Sequence, residues 1–432
     1  MGCLVSLFRA GIALILFVVI FVGFLSYLAL NNFSDKLLSA DFYTNTLAAE
    51  DTYNRIYDDV LLDDELIERT QEFLGDIEVV SQQEMVSLLR QIMPPSYIQS
   101  EVEGAIERTI DWVNEDVEEL NLYVDLATPL ANVKTVMFDY IDGRIEELTV
   151  EDPGISGCSP TSASDLAASY VGKFEQIADG VVPESVPSLK QIDATCRAII
   201  FELAFNDLVA SAGLNEATSA SLRNGKGELR APFAAGDTLE VLKVSARLLA
   251  EPLMDDAIAR VREDLDGGDR FELINQIAKW DTDTTEEQIR SDLNEGRDWI
   301  SKVNNFGDMA SLIMVIGGAA AMGLVFFPSL GGMLRWPGIA LFITGGFFFV
   351  LGKIAEAEVP DRLADIIETG ADKVSGVPPA VTDLGGDVLI SFGSQLTDGF
   401  VGPSLTLLTV GIIMFGTSFF SVILGRFIPI VK

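Results

Sequence analysis

Histidine is absent from all 432 residues. Without an imidazole there is no Ser-His-Asp or Cys-His catalytic pair, no histidine-ligated zinc, non-haem iron or haem, and no side chain that ordinarily titrates near neutral pH. Basic residues are scarce too: 29 Lys and Arg stand against 65 Asp and Glu, with a sequence pI of about 4.1. Phosphate recognition needs Lys and Arg density, so this composition argues against nucleic acid or an anionic lipid surface as the chain's broad partner. A cationic partner, divalent ions or a saline medium suits it better; otherwise the acidity serves to keep an exposed domain soluble. No P-loop, dinucleotide fingerprint or G-x-S-x-G elbow occurs. We therefore expect no enzyme, no cofactor and no metal centre.

Charge is also missing locally. Residues 10–30, 309–327, 337–352 and 404–424 form apolar runs without an Asp, Glu, Lys, Arg or His. At 1.5 Å per residue such runs cross a hydrocarbon core of about 30 Å, the shortest with help from its flanks. The expected fold class is predominantly α: a four-pass helical membrane protein with a large, mainly α-helical extracytoplasmic domain. Arg9, Arg335, Arg426 and Lys432 lie in the segments 1–9, 328–336 and 425–432, which hold no acid. The positive-inside rule assigns that side to the cytoplasm, with both termini. Segments 31–308 and 353–403 then face outward with all the acidic residues, and the plasma membrane is the expected location.

The first run has a basic start and an apolar core, but it is too long for a signal-peptide core and no cleavage pattern follows, so it reads as an uncleaved signal anchor. Gly2 and Cys3 lie in a myristoylation pattern with an adjacent palmitoylation candidate, an anchor that a spanning helix makes redundant. Asn32-Phe33-Ser34 fits a glycosylation acceptor but abuts the membrane. Of three cysteines, only Cys158 and Cys196 lie in an outward segment, and their isolation predicts one disulfide.

Periodicity predicts helices along most of 31–308. Phe33 to Tyr57 continues the first span outward; Ser81 with Glu84 forms a capping box; Pro94-Pro95 ends that helix and another starts near Ser96. Thr128-Pro129 predicts a helix start, and Leu122 to Leu126 a short strand. Residues 151–161 form the best candidate sub-boundary. Helices follow at 162–178 and 190–212, a turn at Asn224–Gly227, then helices at 238–250 and 252–265 with Pro252 opening the second. Thr285 starts the helix leading to the second span, where Gly307 is a candidate kink. In 353–403 an amphipathic stretch from Pro360, a turn at Gly376–Pro379 and a return to Phe392 are expected.

Within the spans, the absence of ionisable groups counts against ion-coupled transport. Small residues cluster instead. Gly317 and Ala321, and Thr417, Ser421 and Gly425, recur four apart, the spacing that lets helices approach closely, within one chain or between copies. The acids Asp58-Asp59, Asp63-Asp64-Glu65 and Asp264, Asp266, Asp269 read as solvated faces and turns, without the EF-hand order.

The order of one span, a large outer segment, two spans, a smaller outer segment and a last span resembles the permease subunits of the MacB/FtsX-like superfamily. That likeness is one of topology, without a sequence motif, and it implies a transmembrane subunit of a transport complex but no site residue. The leading expectation is a non-enzymatic structural, adhesion or receptor-like protein, self-associating in membrane lipid and meeting an extracellular protein partner. A pore lined by the second and fourth spans is the alternative.

Overall fold

The computed structural model describes residues 2–63, 81–155, 157–178, 181–210, 214–265, 268–280, 285–327, 329–371 and 378–427, leaving aside the side chains at 2–8, 280, 304–306, 308, 330, 368, 370–371 and 420–427. In chain order the elements are α1 (Gly2–Asn32), α2 (Ala40–Ala49), α3 (Thr52–Arg55), α4 (Gln82–Ile92), α5 (Pro95–Val113), β1 (Tyr123–Asp125), α6 (Ala127–Glu146), β2 (Thr149–Glu151), α7 (Pro160–Ala178) and β3 (Ser185–Pro187). Then come α8 (Ala194–Ala210), α9 (Glu216–Asn224), α10 (Lys226–Ala235), α11 (Thr238–Asp264), β4 (Arg270–Glu272), α12 (Leu273–Trp280), α13 (Glu286–Val325), α14 (Leu330–Ala371) and α15 (Pro379–Phe427). The chain is predominantly α. The short strands pair as β1 antiparallel to β4 and β2 parallel to β3.

Two compact units form. The first comprises Met1–Leu66, Gln99–Leu122 and Leu273–Lys432, the second Ile67–Ile98 and Tyr123–Glu272. Both sides of segment 151–161 belong to the second unit.

In the second unit helices α6 to α11 share one core. Leu166, Tyr170, Phe174 and Ile177 repeat at three- and four-residue spacing along α7, and Ile200, Phe201, Ala204 and Leu208 do so along α8. This is the apolar stripe that a helix must bury. Tyr170 and Phe201 both pack on Phe233 of α10, with ring centres 5.3 and 5.5 Å apart. The Tyr170 hydroxyl, held well above its ordinary pKa by burial, donates to the Pro187 carbonyl and so satisfies the polar end of a fully buried ring. Cys158 and Cys196 are joined as a disulfide, with Cα atoms 5.5 Å apart, tying the approach to α7 onto α8. Helix α10 ends at Gly236, whose φ of 81° is the left-handed closing conformation that glycine adopts without strain.

In the first unit Trp112, Leu120 and Ile274 form a small core under Ile289. Arg297 lies over the Trp112 ring at 5.3 Å and donates to the Val117 and Glu118 carbonyls, fastening the loop after α5.

Local signals hold where a cap carries them. The Ser81–Glu84 capping box is present, α4 stops before the Pro94-Pro95 pair, and β1 covers the alternating stretch. Thr285 starts α13 with a capping box to Gln288. Other expectations change. The run after the first span is not one helix: a π-helical turn at Phe33–Leu37 ends in a break, and Asp51 takes a left-handed φ of 50° before α3. Helix α6 begins at Ala127, because Asp125 accepts from the Ala127 N–H and so supplies the start that Thr128 was expected to make. Only Gly225 separates α9 from α10, so the expected turn is one residue rather than four. Helix α11 runs unbroken through Pro252, although proline lacks the N–H for one backbone hydrogen bond; Lys134 of α6 pairs with Glu251 and Asp255 on either side of it. Helix α13 runs unbroken through Gly307. The expected turn at Gly376–Pro379 falls largely outside the described residues, with α15 starting at Pro379.

Closing a loop of 38 positions stabilises the folded chain by about 4 kcal/mol in the chain-entropy treatment. Cys158→Ser or Cys196→Ser is accordingly expected to lower the resistance of the full-length protein to denaturant by that order. Thiol alkylation before and after reduction should differ by two sites, and alkylation of both cysteines without reduction would contradict the pairing.

Candidate functional site

Three helical stretches are long and apolar enough to cross a membrane: Arg9–Leu37, Gly331–Ile367 and Pro379–Phe419. The apolar part of α13, Met309–Val325, is shorter, about 25 Å at 1.5 Å per residue. It packs antiparallel along α1. A Cβ on Gly23 would lie 2.7 Å from Met314 Cβ, one on Gly318 2.9 Å from Ile20, and one on Gly307 2.6 Å from a Leu30 methyl. Gly307 thus serves close helix contact rather than a kink.

The pairing of α14 with α15 is tighter and follows one register. A Cβ on Gly338 would approach the Phe415 backbone N to 2.7 Å; on Gly345 it would meet the backbone of Leu408, and on Gly352 the side chain of Val401 at 3.2 Å. Gly411 answers from α15 against the backbone of Phe342. These α14 glycines are seven apart, and Thr397, Ser404, Gly411 and Ser418, also seven apart, are buried along α15. A seven-residue period keeps one face inward along a left-handed supercoiled pair. The same register continues to Gly386 opposite Ile367. Aromatic rings join α1 to α14, with Phe21 4.9 Å from Phe348 and Phe24 5.7 Å from it.

Of the small residues expected to pack, within one chain or between copies, Gly317 and Thr417 face away from the chain's other helices. Gly317 has open space where a Cβ would go, while its neighbour Gly318 makes the contact; Ala321 is half-buried. Thr417 is exposed and donates to carbonyls of its own helix. The side chains of Ser421 and Cys3 lie outside the described residues, and Gly425 and Gly2 are placed only as backbone of α15 and α1. The signal that finds the contact is the seven-residue spacing, not the four-residue one.

Polar groups gather where the helices leave the apolar stretch. Asn32, almost wholly buried, donates to the Leu396 carbonyl at 2.5 Å against the bare Cα of Gly399. Gln395 donates to Thr46, and Arg55 pairs with Asp59 and Asp387 at 3.2 and 2.9 Å. Asp63 accepts from the Ala380 N–H. Burial and then the Glu103 carboxylate push the Tyr53 hydroxyl up to about 12. Thus Asp59 and Asp63 hold structural contacts, whereas Asp64, Glu65 and Asp266 lie outside the described residues. Asp269 pairs with Arg262. Among the described residues no group of acids, cysteines or histidines is arranged to hold a metal.

One side of the four-helix bundle is open. A groove of about 1010 Å³ lies between α13 and α15, walled by Phe24, Ala319, Ala320, Leu407, Val410 and Met414 among others. Met333 and Leu334 close one end and Tyr27 and Pro403 border the other. Its Thr406 hydroxyl is bonded to the Gly402 carbonyl, so the walls offer almost no free polar group. The arrangement can accept an apolar chain and offers nothing for acid-base chemistry.

Gly345→Val would drive methyl groups into the Leu408 backbone and is expected to cost about 3 kcal/mol, as overpacking does. Gly317→Val, facing open space, should stay within about 0.5 kcal/mol of the wild type. Thermal melting in one detergent compares the two, and equal losses would count against the register. A second expectation concerns Tyr53. Its folded pKa lies above the ordinary 10, so the stability it adds is complete below about pH 10 and lost as pH rises toward 12. Tyr53→Phe should remove one tyrosine from the late-titrating part of the phenolate absorbance while Tyr170 stays in it, and the variant's stability should fall less steeply over that interval.

No protein-family model, curated protein or solved structure matches this chain.

Proposed function

We propose that the chain is a four-pass membrane protein with both termini in the cytoplasm, and that it is a non-enzymatic structural, adhesion or receptor-like component acting through its acidic extracytoplasmic segments in a homo-oligomer. One observation carries this reading: apolar spans continue as unbroken helices into charged segments. Helices α13, α14 and α15 run 40, 42 and 49 residues, about 60 Å or more each, twice the thickness of a hydrocarbon core. Such helices hold an outer surface in a fixed geometry on the membrane, which suits contact-making more than tethering. The fourth crossing is supported by the close packing of Met309–Val325 along α1, which puts both apolar stretches at one depth. With this topology every acid of the sequence lies outside, and the end carrying Arg335 has none.

The pore reading draws less support, because hydroxyls along α15 bond to carbonyls of their own helix, as Ser404 does to Phe400 and Thr409 to Leu405. The transport-subunit reading is weakened by the connection from Val325 to Leu330, too short for a coupling helix.

Glu147→Cys, in a Cys3→Ser background, is expected to react with a membrane-impermeant maleimide on intact cells, and Arg335→Cys only after permeabilisation. Liposomes containing the full-length protein should pass no more potassium or chloride than empty ones, and native mass should show a multimer. Labelling of position 335 from outside would overturn the topology, and ion flux would favour the pore.

A further inference from the structure

The open groove and the charge at its end belong together. Between Leu312 and Leu324 the α13 wall runs about 18 Å, a little over half of a hydrocarbon core of about 30 Å. Its length is therefore that of the acyl region of one leaflet. The groove ends at Met333 and Leu334, and the next residue, Arg335, is exposed, its guanidinium lying 5.7 Å from the Phe419 ring and 6.0 Å from that of Phe415. Among the described residues Arg335 makes no ion pair, and the sequence places no acid in segment 328–336. Trp336 stacks on Phe326 at 5.1 Å, an aromatic pair of the kind that marks a membrane–water interface.

We propose that this groove is a binding site for one anionic phospholipid, with its acyl chains between α13 and α15 and its phosphate on Arg335. The chemistry is complementary at both ends. Apolar walls without free polar groups accept methylenes, and a planar guanidinium without a carboxylate partner accepts phosphate oxygens in a charge-assisted pair. Seating on aromatic rings limits the rotamers of Arg335 and presents its charge at the level where Met333 and Leu334 end the groove. The acidity of the whole chain does not oppose this, because no acid lies on that side in the proposed topology. A site of this kind would fix the spacing of α13 and α15, which otherwise have no side chains to fill the gap. The inference rests on the four-pass reading.

The test uses the full-length protein in mild detergent, titrated with phosphatidylglycerol or phosphatidylcholine and weighed by native mass spectrometry. One phosphatidylglycerol should be retained per chain, in preference to phosphatidylcholine. Ala320→Phe, which fills the groove, should abolish retention. Arg335→Gln should weaken it about tenfold, as expected for losing one charge-assisted contact, with Arg335→Lys recovering part. If a variant fails to accumulate, a photoactivatable acyl chain on phosphatidylglycerol should label the 312–324 or 403–414 peptides of the wild type. No retained lipid, retention indifferent to Ala320→Phe and Arg335→Gln, labelling elsewhere, or a dimer that Ala320→Phe dissociates would each overturn the proposal. Release of the chain from membranes by alkaline carbonate would instead overturn the four-pass reading, so the two failures are distinguishable.

Discussion

Gly345 and Leu408 bring two helix backbones within a distance that no side chain could share. The rest of the first unit depends on that contact. In hydrocarbon each helix must satisfy its own N–H and C=O groups, which favours long unbroken helices, and lipid tails remove the hydrophobic drive that would press helices together. Cohesion has to come from close packing, and close packing needs small residues on one face. Gly338, Gly345 and Gly352 supply that face on α14; Thr397, Ser404, Gly411 and Ser418 supply it on α15. Their hydroxyls return to their own helix, as Ser404 and Ser418 do, so the tight face costs no unpaired donor.

Bulk is placed where the glycines are not. Phe21, Phe24 and Phe348 fill the space between α1 and α14, and Gly23 and Gly318 let α13 lie close on α1. Two antiparallel helix pairs built this way leave one side unfilled, the groove between α13 and α15. Beyond the apolar stretch the same helices carry polar contacts, Asn32 to Leu396, Gln395 to Thr46 and Arg55 to Asp387, which need a less apolar setting to be worth making. The polar contacts begin where the sequence turns from apolar to charged, and the glycine register runs on beside them to Gly386 opposite Ile367.

The second unit is held together differently. Its helices bury one apolar stripe each around Tyr170, Phe201 and Phe233, and bases of α11 hold acids of α6, Lys243 the exposed Glu146 and Arg247 the half-buried Asp142. Lys243 lowers the Glu146 pKa through a hydrogen bond between exposed groups, a pairing that contributes little to stability. The disulfide adds to this core by restricting the unfolded chain.

Much of this was legible without coordinates. Apolar runs give helices because the backbone has no alternative in hydrocarbon, capping boxes at Ser81 and Thr285 mark helix starts because their chemistry is local, and two isolated cysteines have only each other. What failed was what depends on a neighbour. Pro252 was expected to divide a helix and does not; Lys134 of α6, distant in sequence, pairs with Glu251 and Asp255 on either side of it. Gly307 was expected to kink and instead receives Leu30. Thr417 faces away from the other helices of its own chain, whereas the α14 glycines that touch α15 repeat every seventh residue. The sequence by itself determined the helices, their apolar lengths and the distribution of charge, since these follow from each segment's own transfer and hydrogen-bond energies. Which glycines meet which backbone, and that a groove stays open beside Arg335, only the tertiary structure decided, because a close approach is a property of two surfaces in register and neither helix carries it alone.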